Sequence, residues 1–149
     1  MAGLMTEFEL LEKAVGIAVT AHRGQKDKHG APYILHVLRV TARLETVKEK
    51  IVAVLHDVVE DTDWTFERLG AEGFSEELIQ AIDALTKREG EDYEDFVKRS
   101  ASNPLACRVK IADLEDNMDV RRMENVSEQE VKRLRKYLKA WKHIRGTFG

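Results

Sequence analysis

Apolar residues recur along this chain at intervals of three and four, the spacing that gathers them on one face of a helix. Leu10, Leu11, Ala14, Ile17 and Ala18 form the first such face. Thr6-Glu7-Phe8-Glu9 precedes them in the form of a capping box, so a helix is predicted to about His22. The polar stretch RGQKDKHGAPY, with two glycines and Pro32, interrupts the pattern and reads as a loop. A second helix is expected from about Tyr33, with Ile34, Leu38, Val40 and Leu44 as its apolar positions. A third spans roughly Lys48 to Glu60 around the run IVAVLHDVV. Ser75 followed by Glu76 and Glu77 marks a further start, since a hydroxyl caps free amides and acids favour the positive helix end. Asn103-Pro104 pairs an N-cap with proline at the first helical position and opens a helix through Lys110, Asp113 and Asn117. Ser127-x-x-Glu130 is a second capping box, beginning a final helix to about Ile144. No stretch alternates as a strand would, and the expected fold class is all-α.

Composition narrows this picture. The chain has 149 residues, of which 43% are hydrophobic and 34% charged, the make-up of one ordinary domain over residues 1–149. The net charge of −3, with both signs interspersed, argues against a generic nucleic-acid binder, so no nucleic-acid polymer is expected as a partner. Cys107 is the single cysteine, which excludes an internal disulfide and fits a reducing compartment. Glutamates stand where a leader would need an apolar run, and no apolar run is long enough to span a membrane. A cytoplasmic protein with no membrane partner is expected; the oligomeric state is not legible.

The chemistry concentrates in IVAVLHDVVEDT, residues 51–62. Its first half is as apolar as a core helix; then come His56, Asp57, Glu60 and Asp61. Residues four apart share a helix face, so His56 should stack with Glu60 and Asp57 with Asp61. The bland alternative is a helix end whose acids face water, but three acids there oppose the helix dipole. Asp113 lies among apolar neighbours in VKIADLEDN, with Asn117 one turn on; Lys110 is its alternative, purely structural partner. His36 lies in the first turns of an apolar helix. Together His36, His56, Asp57 and Asp113 make a mixed nitrogen and oxygen set for one divalent ion, suited to Mn²⁺, Fe²⁺, Co²⁺ or Zn²⁺ rather than Mg²⁺ or Ca²⁺. Glu60 and Asp61 are candidates to orient or deprotonate a water. Arg23, Lys26 and Lys28 supply positive charge for an anionic substrate, as do Arg121 and Arg122, although for Arg122 a solvated surface is the preferred reading.

The stretches AHRGQKDKHGAPYILH, LHDVVEDT, LTK and VKIADLEDN, over roughly residues 14–122, resemble the hydrolase domain of the RelA/SpoT-type alarmone enzymes and of their small stand-alone relatives, such as the metazoan SpoT homologues. The resemblance implies a single helical HD domain and Mn²⁺-dependent removal of the 3′-pyrophosphate from guanosine tetra- or pentaphosphate, a small phosphorylated nucleotide. It implies that His36, His56, Asp57 and Asp113 bind the metal and that Glu60 and Asp61 handle the attacking water. It places Asn117, Lys28 and Tyr33 near the nucleotide, and matches Thr86-Lys87 to a short motif. The chain departs from the family at Asp27 and Asp119, where arginines are common, and at Val37, where proline usually follows the histidine. The two acids leave open a phosphohydrolase for another phosphorylated nucleotide or cofactor. A metal-bound sensor without turnover is the third reading.

The remaining distinctive residues read plainly. His22 and His143 are expected at the surface or at helix ends, Trp64 and Trp141 in packing, and Cys107 as a buried thiol. The basic final helix is expected to pack through Leu134, Leu138, Trp141 and Ile144.

Overall fold

The structure, a computed structural model, describes residues 4–148. Helices α1 (Glu7–Ala21), α2 (Tyr33–Ala42), α3 (Val47–Leu55), α4 (Val58–Asp61), α5 (Phe66–Ala71), α6 (Glu76–Ala84), α7 (Tyr93–Ala101), α8 (Pro104–Asn117) and α9 (Glu128–Phe148) follow one another, with a 3-10 turn at Val120–Arg122. Among the described residues the only β feature is an isolated antiparallel bridge between Lys26 and Pro32, so the architecture is all-α, as the periodicity predicts. Several expected caps are made. Thr6 Oγ1 accepts the Glu9 N–H at 3.1 Å, Asn103 Oδ1 accepts the Ala106 N–H at 3.0 Å, and Ser127 Oγ accepts the Glu130 N–H at 3.2 Å. A full capping box that the pattern did not reveal opens α3: Thr46 Oγ1 accepts from Glu49 N–H while Glu49 Oε2 accepts from Thr46 N–H.

Helix α3 is the central strut. Ile51, Val52, Ala53, Val54 and Leu55 are all buried, and the helix packs against α1, α2, α6 and α8. A helix apolar on every side belongs inside a fold. A second, smaller core joins α7, α8 and α9 through Val97, Cys107, Ile111, Leu114, Ala140 and Ile144. Helix α8 belongs to both cores, which fixes its acidic face relative to α2 and α3.

The third predicted helix differs from the observed one. It does not run unbroken to Glu60: α3 stops at Leu55 and α4 starts at Val58. His56 Nδ1 takes the Ala53 carbonyl at 2.5 Å, and the His56 N–H leans on the same oxygen at 3.4 Å. That carbonyl would otherwise accept from residue 57, so the local helical bond is replaced by a side-chain one. Asp57 then sits at φ −103°, ψ −1°, and helical bonding resumes with Asp61 N–H on Asp57 O at 2.9 Å. The i to i+4 helical bond expected across this segment is therefore made from Asp61 to Asp57, while His56 stands outside α4.

Other expectations also need correction. His22 ends α1 but is buried, its Nδ1 2.7 Å from Gln25 Oε1. Leu38 and Leu138 face outward, 40% and 43% exposed, and the buried side of α9 is Ala140 and Ile144, with Tyr137 and Trp141 packed beside them. Trp64 packs on the main core as expected, and the Arg68 guanidinium lies 3.7 Å from its ring centre.

The loop between α6 and α7 is held by Arg99. Its guanidinium donates to both Glu91 oxygens at 2.9 and 2.8 Å and to the carbonyls of Asp83 and Thr86 at 2.8 Å each. Arg99→Ala is expected to cost about 2 kcal/mol, because two carbonyls and a carboxylate lose their donors together. That corresponds to roughly 4–8 °C in Tm for a domain of this size, read by thermal unfolding. An unchanged Tm would mean that the loop is held by other contacts.

Candidate metal centre

Three elements bring the candidate residues together. The first turn of α2 carries Tyr33 and His36, the α3–α4 break carries His56 and Asp57, and α8 carries Lys110, Asp113, Asp116 and Asn117. The break matters here, because it turns two consecutive side chains toward the other helices at the end of a buried strut.

His36, His56 and Asp57 each offer a ligand atom, and these atoms all lie within 4.8 Å of one another. Asp113 touches both imidazoles: its Oδ1 is 3.0 Å from His36 Nε2 and 3.6 Å from His56 Nε2. Asp57 Oδ2 is 2.9 Å from His56 Nε2 and accepts a short hydrogen bond from the Tyr33 hydroxyl. All four candidate ligands are buried or nearly so. His56 Nε2, though close to both carboxylates, makes no hydrogen bond with either. His36 Nε2 is hydrogen-bonded to Asp113 Oδ1 at 3.0 Å, so within the set the nitrogen left without a partner is that of His56. The buried orphan nitrogen and the mixed imidazole and carboxylate set therefore fit a divalent ion. Lys110, itself buried, sits 3.2 Å from Asp113 Oδ2, so the alternative structural partner of that aspartate is also present.

The electrostatics agree. Burial by itself lowers the His36 pKa, but hydrogen bonds to Asp113 and Asp116 and the Asp113 charge overcome it and push the imidazole up to about 9. His56 is driven well up in the same way: burial opposes, and the Asp57 charge with contacts to Asp113 and Asp57 prevails. Burial and the Asp57 charge hold the Tyr33 phenol far above its ordinary range. The acids of the cluster thus call for positive charge, which a divalent cation supplies in exchange for imidazole protons.

Glu60 and Asp61 flank this centre differently. Glu60 lines the same hollow of about 270 Å³ as His56, Asp57 and Asp113, and its Oε1 accepts the Lys87 N–H at 2.9 Å. Asp61 lies off that hollow, held by Gln25 Nε2 at 3.1 Å. Burial first, then the charge of Asp57, raises both carboxyl pKa values, and the charge of Asp61 adds to the rise at Glu60. Lys87, Lys110 and Lys136 line the same hollow.

A second hollow, of about 280 Å³, adjoins the first; Tyr33, Asn117 and Tyr137 line both. Its cations are Lys26, Lys28, Arg39, Arg122 and Arg133. Lys28 Nζ bonds the Tyr137 hydroxyl at 3.0 Å, and Asn117 Nδ2 bonds Asp113 Oδ1 at 3.3 Å. Arg23 is exposed and lines neither hollow. Asp27 and Asp119 both line the second hollow, and they are held differently. Asp27 Oδ1 accepts the backbone N–H groups of His29 and Ala31 at 2.9 and 3.0 Å, shaping the loop beside Gly30 at φ +84°. Asp119 pairs with Arg121 at 2.7 Å and Arg122 at 3.5 Å.

Sequence reasoning missed part of this arrangement. Asp116, fully buried, accepts from His36 Nδ1–H at 2.7 Å, from Arg39 Nε at 2.9 Å, and from the Arg122 guanidinium. Burial raises the Asp116 pKa, but these donors outweigh it and hold the carboxyl at about 2. Arg122 is therefore not a solvated surface residue: its Nη2 also donates to the Asp116 carbonyl at 2.6 Å. The spacing of Asp116, three residues after Asp113, was the available signal. Nothing in the sequence of α9 singled out Tyr137 or Lys136.

Comparison with known proteins follows the same direction. No protein-family model matches the chain. A guanosine-3′,5′-bis(diphosphate) 3′-pyrophosphohydrolase of Aquifex aeolicus is 33% identical over 125 residues, 74% of this chain and 17% of the relative. A protein of the same description from Vibrio cholerae is 34% identical over 101 residues, 65% of this chain and 14% of its own length. A GTP pyrophosphokinase of Streptomyces coelicolor is 33% identical over 135 residues, 82% of this chain and 16% of its own. The chain thus spans less than a fifth of these curated relatives. The solved structure of a metazoan ortholog of SpoT, described as hydrolysing ppGpp, superposes with a TM-score of 0.73 at 23% identity, covering 98% of this chain and 90% of that one. The shared fold is that of a helical HD-type domain. Together with the relatives, it supports a RelA/SpoT-type hydrolase domain.

Proposed function

We propose that this chain is a metal-dependent phosphohydrolase that removes the 3′-pyrophosphate from guanosine 3′,5′-bis(diphosphate), with Mn²⁺ as its ion and residues 1–149 acting as one domain. One observation carries the substrate reading. Two hollows meet at Tyr33, Asn117 and Tyr137: His56, Asp57 and Asp113 line one beside Lys87, Lys110 and Lys136, and His36 lines the other beside Lys26, Lys28, Arg39, Arg122 and Arg133. A nucleotide with phosphates at both its 3′ and 5′ positions has charge to place in each hollow, while a single phosphate ester would leave one set of cations idle. The pairing of Asp119 with Arg121 and Arg122 offsets the charge of that acid toward such a ligand, while Asp27 is turned to the backbone of its own loop.

His36, His56, Asp57 and Asp113 would hold the ion. When bound there it supplies Lewis acidity, polarising a phosphoryl oxygen and lowering the pKa of water. Glu60, facing the same hollow, takes the proton of the attacking water. The water oxygen bonds the phosphorus attached to the ribose O3′, the bond from that phosphorus to O3′ breaks, and O3′ leaves as the hydroxyl, taking up from solvent a proton equivalent to the one Glu60 later releases. Lys87 and Lys136 face the departing pyrophosphate, and Lys28, Tyr33 and Asn117 border the nucleotide. Asp61 acts through its neighbours, and Arg23, off both hollows, meets the substrate only on approach.

The test is product release by the Mn²⁺-loaded protein from the guanosine alarmone beside a panel of nucleotides with one phosphorylated end. Pyrophosphate from the alarmone, at a kcat/KM at least about tenfold above any panel member, is expected. Faster phosphate release from a singly phosphorylated nucleotide would move the substrate to that class.

A further inference from the structure

Asp116 is fully buried and reaches neither hollow. His36 Nδ1 donates to its Oδ2 at 2.7 Å. Arg39 donates to both its oxygens at 2.9 and 3.2 Å, and Arg122 donates to both at 3.4 and 3.3 Å. An ionised carboxylate only accepts hydrogen bonds, so the nitrogen facing it must carry a hydrogen. Nε2 faces a second carboxylate, Asp113, at 3.0 Å; where a cation takes the place of the hydrogen between them, Asp116 keeps the remaining hydrogen on Nδ1 and the lone pair is confined to Nε2. The ring plane is fixed at the same time.

We propose that Asp116 is a positioning residue: it locks His36 in the tautomer and orientation that present Nε2 to a divalent ion, while Arg39 and Arg122 share the balancing of its buried charge. This inference rests on the metal-dependent reading above. His56 offers an internal parallel, since its Nδ1 is engaged by the Ala53 carbonyl and its Nε2 likewise turns to the centre. The backbone does for His56 what Asp116 does for His36. Asparagine at 116 keeps the shape but relaxes the rule, because an amide can donate to Nδ1 as readily as accept from it. When it donates, the hydrogen moves to Nε2 and the lone pair is lost to the metal.

The experiment titrates Mn²⁺ calorimetrically into metal-stripped wild type, Asp116→Asn and Arg39→Gln at one pH, with helicity followed by circular dichroism. Asp116→Asn is expected to keep its helicity and bind about 10–100-fold more weakly, the usual loss when a group behind a metal-bound histidine is changed. Arg39→Gln disturbs the same cluster but leaves Arg122 and the His36 contact, so its affinity should stay within about threefold of wild type. Should Asp116→Asn lose helicity, Asp116→Glu replaces it, retaining the charge for both arginines while displacing the acceptor from Nδ1. Affinity equal to wild type in the folded variant overturns the proposal, as does an equal loss in Arg39→Gln. Failure of the wild type itself to bind Mn²⁺ overturns the metal reading beneath it, a separate and recognisable result.

Discussion

Replacing Asp57 by alanine is expected to abolish divalent-metal binding and to lower hydrolysis by at least about a thousandfold, with helix content unchanged. The carboxylate approaches the orphan Nε2 of His56 within 2.9 Å, and its position is set by the Tyr33 hydroxyl and by the bend between α3 and α4. Its removal leaves two imidazoles and Asp113, and Asp113 is already drawn toward Lys110 at 3.2 Å. The charge stabilisation that a metal gives a phosphoryl transition state is several kcal/mol, and about 4 kcal/mol is a factor of a thousand. The fold has little reason to fail. Asp57 contributes no apolar surface to the core, and truncation removes one member of a crowded acid cluster at the cost of the Tyr33 bond, about 1 kcal/mol. Calorimetry with Mn²⁺, product release and circular dichroism on the same preparation check all three parts. Retained hydrolysis would exclude Asp57 from the centre; lost helicity would show that its role is structural.

Much of this arrangement was open to reading because the relevant signals are local. Caps at Thr6, Asn103 and Ser127 announce helix starts through a side chain and an amide three residues on, and the structure makes those bonds. His56, Asp57 and Asp113 stood out because polar groups in apolar runs demand compensation. What escaped was decided at long range or by one side chain. The apolar period runs straight through VLHDVVED, and only the His56 imidazole on the Ala53 carbonyl divides it into α3 and α4. Helices α5 and α7 are six and nine residues long, and α5 has a single buried position, Leu69, too few to establish a period. Helix α7 is secured instead by Arg99 and by Ser100, whose hydroxyl donates to the Ala84 carbonyl at 2.7 Å. Asp116 meets His36 across eighty positions of sequence, and no spacing rule joins them. Arg122 looked like surface because its partner was unknown.

Glu60→Gln is expected to keep Mn²⁺ affinity within about threefold of wild type while turnover falls about 10²–10⁴-fold, the usual contribution of a positioned general base. The substitution is chosen for its shape. Glutamine can still accept the Lys87 N–H that Glu60 Oε1 accepts at 2.9 Å, so the hollow should keep its lining. What it loses is the lone pair able to take a proton. The environment favours that function in Glu60: burial raises its pKa and the neighbouring charges of Asp57 and Asp61 raise it further, which makes the carboxylate a stronger base. Asp61 shares the raised pKa but not the position, because it lies off the hollow and its carboxylate is engaged by Gln25. Asp61→Asn should therefore lower turnover by about tenfold or less, acting through the charge beside Glu60. The ratio of kcat between the two variants is the deciding measurement. A larger loss in Asp61→Asn would transfer the base to Asp61, and a lost Mn²⁺ affinity in Glu60→Gln would make Glu60 a fifth ligand instead. If turnover falls alone and falls most at Glu60, binding the ion and moving the proton belong to different residues of one helix break: His56 and Asp57 at the bend, Glu60 one turn beyond it.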